Sequence, residues 1–515
     1  MTIPNGQLTV TKGVCDSCLR LVQTRVVIRE DGVWFEKFCP DHGRIDVKVA
    51  DDTEAYVNAF HFHRVASKSL GFTTDWKRGC PDDCGFCPEH EQHVCMPIIE
   101  ITDHCDMHCP ICIVQNRDSW HMTRAELERI LDRLIETEER IDVANLSGGE
   151  PTEHPDFRGM VEACLARPEI LRVSVSTNGR RLASDPDLRS FLAKRNVVIS
   201  LQFDGDDPDY LRSLRGDPGT EPGPDSGSGS GSGPGPGPDT SACVKTDPAF
   251  RLELLERLTE VDAPCSLTFT MTPDAPDSAL SRAIDEMFAR TNVLSLMVQP
   301  AAYAGRGQAF AAKQQRRVFI PEAIERIARA SKNRVSIGNF APLPCSHPNC
   351  FSLAFFLKAP EKTFVSLKEL FSMESYLDII RNRTLFGTDP ENFTQIEEAV
   401  YQLWSGPAAL APDSERALKS VRNLLRQIQA GKVCGCFDPG KVLAVAEREI
   451  KSIFVHAFMD PGTFDITRIR KCCQVYPQRD GRFIPACVNN VLGRPMDPSP
   501  RPSPANGRGG TFPGF

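Results

Sequence analysis

Three cysteines, Cys105, Cys109 and Cys112, fall within the stretch ITDHCDMHCPICI that begins at Ile101. A closed structural zinc site takes four ligands in a tetrahedron. A ferredoxin-type cluster likewise takes four thiolates. Three thiols at this spacing suit a metal centre with one position left open for a substrate or cofactor.

More cysteines flank this triplet. The chain holds 20 of them in 515 residues, and clustered thiols in a large chain point to metal binding rather than to a disulfide framework. Cys15 and Cys18 pair with Cys39, and His42 stands as a fourth ligand for a zinc-ribbon or rubredoxin-like site holding one zinc or iron; a site with three ligands only is the alternative. Cys80, Cys84, Cys87 and Cys95 form a second string, and Cys345, Cys350, Cys472, Cys473 and Cys487 a late set. Cys434 and Cys436 are spaced too tightly to assign, and Cys164, Cys243 and Cys265 stand alone.

Bulk composition is that of a globular protein, with 41% hydrophobic and 25% charged residues and a net charge of -8. No basic stripe marks a nucleic-acid partner. No apolar run reaches the length of a membrane span. The opening MTIPNGQLTV lacks the pattern of a secretory leader, so the reducing cytoplasm is the expected compartment.

The elements that must position the triplet are legible as an alternation. Short β-branched runs occur at 97–102, 141–147, 171–177, 196–203, 265–271 and 293–299. Helical patterns lie between them. Thr123 and Glu126 make a capping box ahead of Leu127, Ile130, Leu131 and Leu134, and Pro155 sits near another helix start. Six strands alternating with helices predict a parallel sheet that curls into a partial or complete barrel, with its chemistry at the strands' C-terminal ends. Polar motifs follow these strands in turn: the triplet after the first, Gly148-Gly149-Glu150 after the second, Ser176 to Gly179 after the third, and Gln202 to Gly205 after the fourth. Upstream, VCDSCLRLVQTRVVIREDGVWFEKFCPDHG reads as two strands between metal knuckles. Segment 216–241 is Gly/Ser/Pro-rich and predicts a solvated loop. After residue 300 the alternation is expected to end. Helices, including Ser414 to Gln429, and a turn at Gln478 to Gly481 between two strands fill the remainder.

This arrangement resembles the radical S-adenosylmethionine (SAM) enzymes over roughly residues 95 to 300. The resemblance implies an α/β fold, a partial (β/α)6 barrel with a cysteine-rich N-terminal region (1–95), a core (96–300), a C-terminal α+β extension (301–492) and a disordered tail (493–515). It implies that Cys105, Cys109 and Cys112 hold a [4Fe–4S] cluster whose fourth iron takes SAM. Gly148, Gly149 and Glu150 would meet the methionyl amino group, Ser176 and Asn178 the ribose or carboxylate. Gln202 and Asp204 are pocket candidates, while His104 and His108 flank the loop without being ligands.

CPDDCGFCPEHEQHVC, CPDHG and PCSHPNC resemble a subgroup that contains archaeal tetraether lipid synthases and methyltransferases of a hydroxymethyl-dihydropterin. Within it, Cys80, Cys84, Cys87 and Cys95 would hold an auxiliary [4Fe–4S] cluster, with zinc the alternative. Cys345, Cys350 and Cys487, with Cys472 or Cys473, would hold another. The resemblance further implies reductive cleavage of SAM to a 5′-deoxyadenosyl radical and a reducing donor such as flavodoxin or ferredoxin. The expected reaction is functionalisation of an unactivated C–H bond, with radical C–C coupling of lipid chains and peripheral membrane contact as the main reading. Methylation of a pterin-type small molecule is the alternative, and a non-catalytic multi-cluster electron carrier is the reading of another class. CFSLAFFLKA (350–359) is apolar enough to line a lipid channel but reads more readily as core, no compact polar pocket is apparent, and no Asp-x-His-x-x-Gly string marks a corrinoid module.

Overall fold

The computed structural model describes residues 6–114, 116, 120–216, 247–311, 316–359, 363–382 and 447–494. Cys243, Cys434, Cys436, the expected helix from Ser414 to Gln429, segment 217–241 and the tail from 495 onward lie outside them.

An antiparallel meander comes first: β1 (Gly6–Val14), β2 (Leu21–Arg29), β3 (Gly32–Cys39) and β4 (Gly43–Ala50). β2 and β3 are the two strands expected between the knuckles, and β1 and β4 flank them. Cys15 follows the end of β1 and Cys39 ends β3, so the strand ladder brings both knuckles to one end of the sheet.

The six-strand alternation follows as β5 (Met96–Thr102), β6 (Ile141–Gly148), β7 (Ile170–Thr177), β8 (Val198–Gln202), β9 (Cys265–Met271) and β10 (Val293–Pro300). They lie side by side in sequence order, and each neighbouring pair is parallel. Leu201, Leu267, Phe269, Leu296 and Val298 are fully buried among the hydrophobic core, while the alternate positions Ser200, Ser266, Thr268 and Ser295 line an internal cavity. That two-residue alternation is the strand pleat acting on a two-sided layer.

Helices start where the sequence says they should. Thr123 and Glu126 close a capping box on Arg124–Glu138, whose Leu127, Ile130, Leu131 and Leu134 are buried. Three others begin with Asp-Pro: Asp185, Asp207 and Asp247 each accept a backbone N–H of the first turn, and the proline after each occupies the position where no N–H is needed.

The alternation does not end at residue 300. β11 (Ala341–Pro342), β12 (Phe351–Lys358), β13 (Phe364–Ser366), β14 (Ile450–His456), β15 (Gln474–Pro477) and β16 (Phe483–Pro485) come from the C-terminal region, and all join the same 12-stranded sheet. β14 pairs in parallel with β10, and β12 runs antiparallel beside β14. On the opposite edge β15 pairs in parallel with β5 through Gln474 and Met96. Gly481 N–H closes the expected turn on Gln478 at 3.0 Å. Arg494, read as tail from sequence, pairs with Glu100 at 2.5 Å.

A buried lysine joins the two ends of the chain. The Lys37 ammonium donates to the carbonyls of Val14 (3.0 Å), Pro461 (3.3 Å) and Gly462 (3.0 Å) and pairs with Asp16. Lys37→Met keeps the aliphatic stem but strips these buried acceptors of their donor, and each unsatisfied group costs about 1–3 kcal/mol. The urea midpoint of the variant is expected to fall by an amount equivalent to about 3 kcal/mol; an unchanged midpoint would show that the clamp carries no weight.

Candidate functional site

A cavity of about 480 Å³ occupies the inside of the curled sheet. Cys105, Cys109 and Cys112 all line it, as do Gly149, Glu150, Ser176, Asn178 and Gln202. The expected motifs therefore converge on one space. They do so because parallel strands all end on the same side of the sheet, so each following loop opens onto a common rim.

The two glycines have a structural role beside the SAM contact that the resemblance implies. A Cβ on Gly149 would lie 1.9 Å from the His104 carbonyl oxygen, and one on Gly148 would lie 2.1 Å from that of Thr102. Gly148 also adopts a φ of +124°. The missing side chains let the cysteine loop's own backbone dock on β6: Gly149 N–H donates to Thr102 O (2.8 Å) and Glu150 N–H to His104 O (2.7 Å). Further ties hold the loop. Asn178 Nδ2 donates to Asp106 Oδ1 (2.7 Å), and Arg180 pairs with the same carboxylate at 2.8 Å. Arg306 donates to His108 Nδ1 (2.8 Å), and Gly307 N–H to Cys112 O (3.2 Å).

Glu150 is buried, and burial pushes its carboxyl up to about 7 against the pull of its hydrogen bonds. Oε1 accepts from the Thr152 hydroxyl (2.6 Å) and N–H (3.1 Å) and from the Thr177 hydroxyl (2.7 Å), and Oε2 from Asn178 N–H (2.7 Å). Ser176 lies on the inner wall, exchanging hydrogen bonds with Asn145 at 3.1 and 3.2 Å. Asp204 is buried, yet Arg215 and the Thr270 N–H hold its carboxyl below the ordinary range. It receives the Arg215 Nε–H at 3.1 Å and Gln202 Nε2 at 3.2 Å, and Arg215 in turn hydrogen-bonds Cys109. Arg180, Asp106 and Arg306 escaped the sequence reading, since each acts through a partner tens of residues or more away, as did Arg215, which bridges nearby Asp204 to distant Cys109. The local signal at Arg215 was the Asp207-capped helix that it ends.

The triplet fits an iron–sulfur cluster. Among the described residues lining the cavity it supplies the only three cysteines. Backbone N–H groups of Met107 and Val114 already point at the sulfurs of Cys105 (3.5 Å) and Cys112 (3.4 Å). Burial pushes both thiols up, as expected of thiols that need a metal to ionise. Arg215 against Cys109, with Arg306 and Arg494 in the field of Cys112, gives an anionic group cationic neighbours.

The other thiols sort differently from their order in the chain. Cys15, Cys18, Cys39 and His42 converge, their ligand atoms all within 4.8 Å of one another, and His42 draws the Cys39 thiol down to about 6. Cys84 lies against Cys80 with Cys87 and Cys472 in its field. The expected fourth member, Cys95, instead hydrogen-bonds Cys345 and Cys473, with its backbone N–H on Cys473 O at 2.9 Å. Cys345 leaves the late set accordingly. Cys350 accepts from Arg468 at 3.0 Å, and both Cys350 and Cys487 lie in the field of Cys472. Adjacent Cys472 and Cys473 thus have different neighbours: Cys472 lies in the field of Cys84, and Cys473 hydrogen-bonds Cys95.

Residues 99–287 match the radical SAM superfamily, and residues 7–51 match the HMPTM N-terminal zinc ribbon domain. The chain carries a radical SAM domain behind a zinc ribbon, and the cofactors of that class are a [4Fe–4S] cluster and SAM. Along nearly its whole length it is similar to a particular protein, 7,8-dihydro-6-hydroxymethylpterin dimethyltransferase of Methanocaldococcus jannaschii, 22% identical over 512 residues and 94% of either chain. A shorter stretch is 31% identical to mycofactocin maturase MftC of Mycobacterium ulcerans, covering 23% of this chain and 31% of that one. A solved structure of Streptococcus suis SuiB bound to precursor peptide SuiA aligns with 47% of this chain and 46% of that one, at 15% identity and a TM-score of 0.35. None of the helices among the described residues is long and apolar enough to cross a membrane.

Gly149→Ala should push the cysteine loop off β6. Iron bound per chain after anaerobic reconstitution, with the charge-transfer absorption of the cluster, is expected to drop by the content of one cluster, and full iron content would refute the docking role. Glu150 gives a pH signature. Its carboxyl keeps its proton in the folded state up to about 7 but loses it near 4.5 when unfolded, so its contribution is complete below 4.5 and is lost as pH rises through 7. In SAM-free protein, Glu150→Gln should gain on the parent across that window by on the order of 3 kcal/mol. Parallel curves of unfolding midpoint against pH would contradict the assignment.

Proposed function

We propose that this radical SAM enzyme methylates a compact, pterin-like small molecule rather than coupling lipid chains. The observation that carries the reading is the size of the cavity and the ion pair that lines it. Arg172 and Glu447 pair there through a two-pronged contact with Nε at 3.0 Å, and β14 and β15 extend its wall at the two edges of the six-strand sheet. A volume near 480 Å³ is that of a small-molecule site. A fused ring system suits a space of this size, and the ion pair of Arg172 and Glu447 that lines it is a poor neighbour for a long acyl chain. Similarity along 94% of the chain to a pterin dimethyltransferase supports the same substrate class.

When bound, the cluster and SAM supply one-electron reductive cleavage of a sulfonium and the means to break an unactivated C–H bond. The chain's own part is to hold and shield. Cys105, Cys109 and Cys112 provide the thiolates, and Gly148 and Gly149 fix the loop that carries them. Glu150 offers a buried carboxylate that an ammonium group would keep ionised. The walls keep water from a reactive centre. Cys80, Cys84, Cys87 and Cys472 suit one auxiliary cluster and Cys95, Cys345 and Cys473 part of another, with Cys15, Cys18, Cys39 and His42 for a mononuclear zinc or iron. A low-potential donor such as flavodoxin or ferredoxin would supply the electron.

The test is anaerobic turnover of the reconstituted chain with SAM, a strong reductant and either a hydroxymethyl-dihydropterin or a saturated lipid. Formation of 5′-deoxyadenosine together with a methylated pterin, abolished in Cys109→Ala, is the expected result. Turnover stimulated by the lipid alone would overturn the reading. An intact cluster that never cleaves SAM would favour the electron-carrier alternative.

A further inference from the structure

Five serines on five neighbouring strands stand in register inside the sheet. Ser176 of β7 pairs with Ser200 of β8, Ser200 with Ser266 of β9, Ser266 with Ser295 of β10, and Ser295 with Ser452 of β14. All five line the cavity. The ladder lies two residues below Gln202 and Asn178 at the rim, or roughly 7 Å down the strands at about 3.3 Å per residue. Its hydroxyls are only partly used by the protein. Ser266 and Ser295 share one hydrogen bond at 2.6 Å, which leaves the pair a donor and several lone pairs for something else.

The ladder runs into an aromatic wall. Ser452 stands opposite Phe355 of β12, and Phe454 has its ring centroid 6.1 Å from Phe355 and 5.7 Å from Phe351. Two buried polar side chains of the cavity lining have an atom with no partner among the described residues: His456 Nδ1 beside this wall, on a ring tilted 55° to that of Phe458 with centroids 4.2 Å apart, and Gln474 Oε1 on β15. His456 is 8% exposed and Gln474 5%, and both line the cavity. Burial, with Arg468 nearby, pushes the imidazole down to about 3, so it is neutral. A buried polar atom left unpaired is costly, and such atoms mark a place where another group completes the hydrogen bond.

We propose that the serine ladder, His456 and Gln474 form the substrate-recognition surface, and that they select a flat, uncharged, nitrogen-rich heterocycle with donors and acceptors in its plane. The inference rests on the small-molecule reading above and deepens it by naming what reads the ring. Flatness is required because the aromatic wall offers ring faces. An uncharged ring suits the ladder because, among the described residues lining the cavity, Arg172 is paired with Glu447 and Arg215 with Asp204. In-plane polarity is required because hydroxyls, an imidazole nitrogen and an amide oxygen offer donors and acceptors alike. An acyl chain would leave His456 Nδ1 and Gln474 Oε1 unpaired.

The experiment measures equilibrium binding to the anaerobically reconstituted full chain saturated with SAM, by dialysis, of a hydroxymethyl-dihydropterin, of guanine and of a saturated fatty acid. Variants are the Ser266→Ala/Ser295→Ala double, which removes both partners of one hydrogen bond together, and His456→Phe, which keeps the ring volume. Cluster absorption and SAM binding report whether each variant is folded and loaded. The expected result is that a heterocycle binds the parent and binds each variant at least tenfold more weakly, with SAM affinity unchanged. If the pterin binds parent and variants alike, the recognition surface is wrong and the pterin reading stands. If guanine binds and responds to the variants while the pterin does not bind, the pterin reading is wrong and the surface stands. If only the fatty acid binds, or no probe does, both fall.

Discussion

A parallel sheet of six strands has two open edges, and unpaired edge groups are a liability in any soluble fold. The distinctive features of this protein follow from how those edges are filled. β14 takes the edge of β10, and β15 takes the edge of β5. The C-terminal region thereby becomes wall rather than appendage. It contributes Ser452, Phe454 and His456 on one side of the cavity and Gln474 on the other. A site built from the six core strands alone would be an open trough.

The same economy governs the metal-binding rim. The cysteine loop has no secondary structure of its own to stiffen it. Its conformation is set by backbone hydrogen bonds to β6, which two absent side chains permit, and by the carboxylate of Asp106 held between Asn178 and Arg180. Three thiols near the surface of a loop are thus placed by residues on β6, on the turn after β7 and at Arg306. Glu150 belongs to this scaffold as much as to the ligand, since its carboxylate fastens Thr152, Thr177 and Asn178 together.

The core strands and the rim motifs were legible in the sequence because both are local signals: β-branched runs for the strands, and short polar strings in the loops immediately after them. What was not legible is long-range. The two strands around the Gln478–Gly481 turn could be read locally, but not that QVYP at 474–477 pairs with Met96 and Pro97 at the edge of β5. Cysteine spacing grouped Cys95 with Cys87, eight residues away, whereas the fold turns the chain at His90 and delivers Cys95 to Cys345 and Cys473. The ladder itself was not legible: apart from Ser176 its serines carry no local signal, because register between strands is a property of pairing and not of any one segment.

The clamp of Lys37 onto Pro461 and Gly462, together with Thr11 against Asp465 at 2.5 Å, orders events during biosynthesis. Strands β1 to β10 leave the ribosome long before their final partners exist, and the edges at β5 and β10 stay bare for the time taken to translate the residues up to 477. At elongation rates of about 5–20 residues per second that interval lasts tens of seconds at the slower rate. Throughout it the cysteine loop faces an unfinished, accessible barrel, and cofactor delivery has its widest opening before the last strand docks. A chain truncated ahead of β15 would keep the cysteine triplet and the rim motifs that follow the core strands, and would lack the wall that β15 lays along β5.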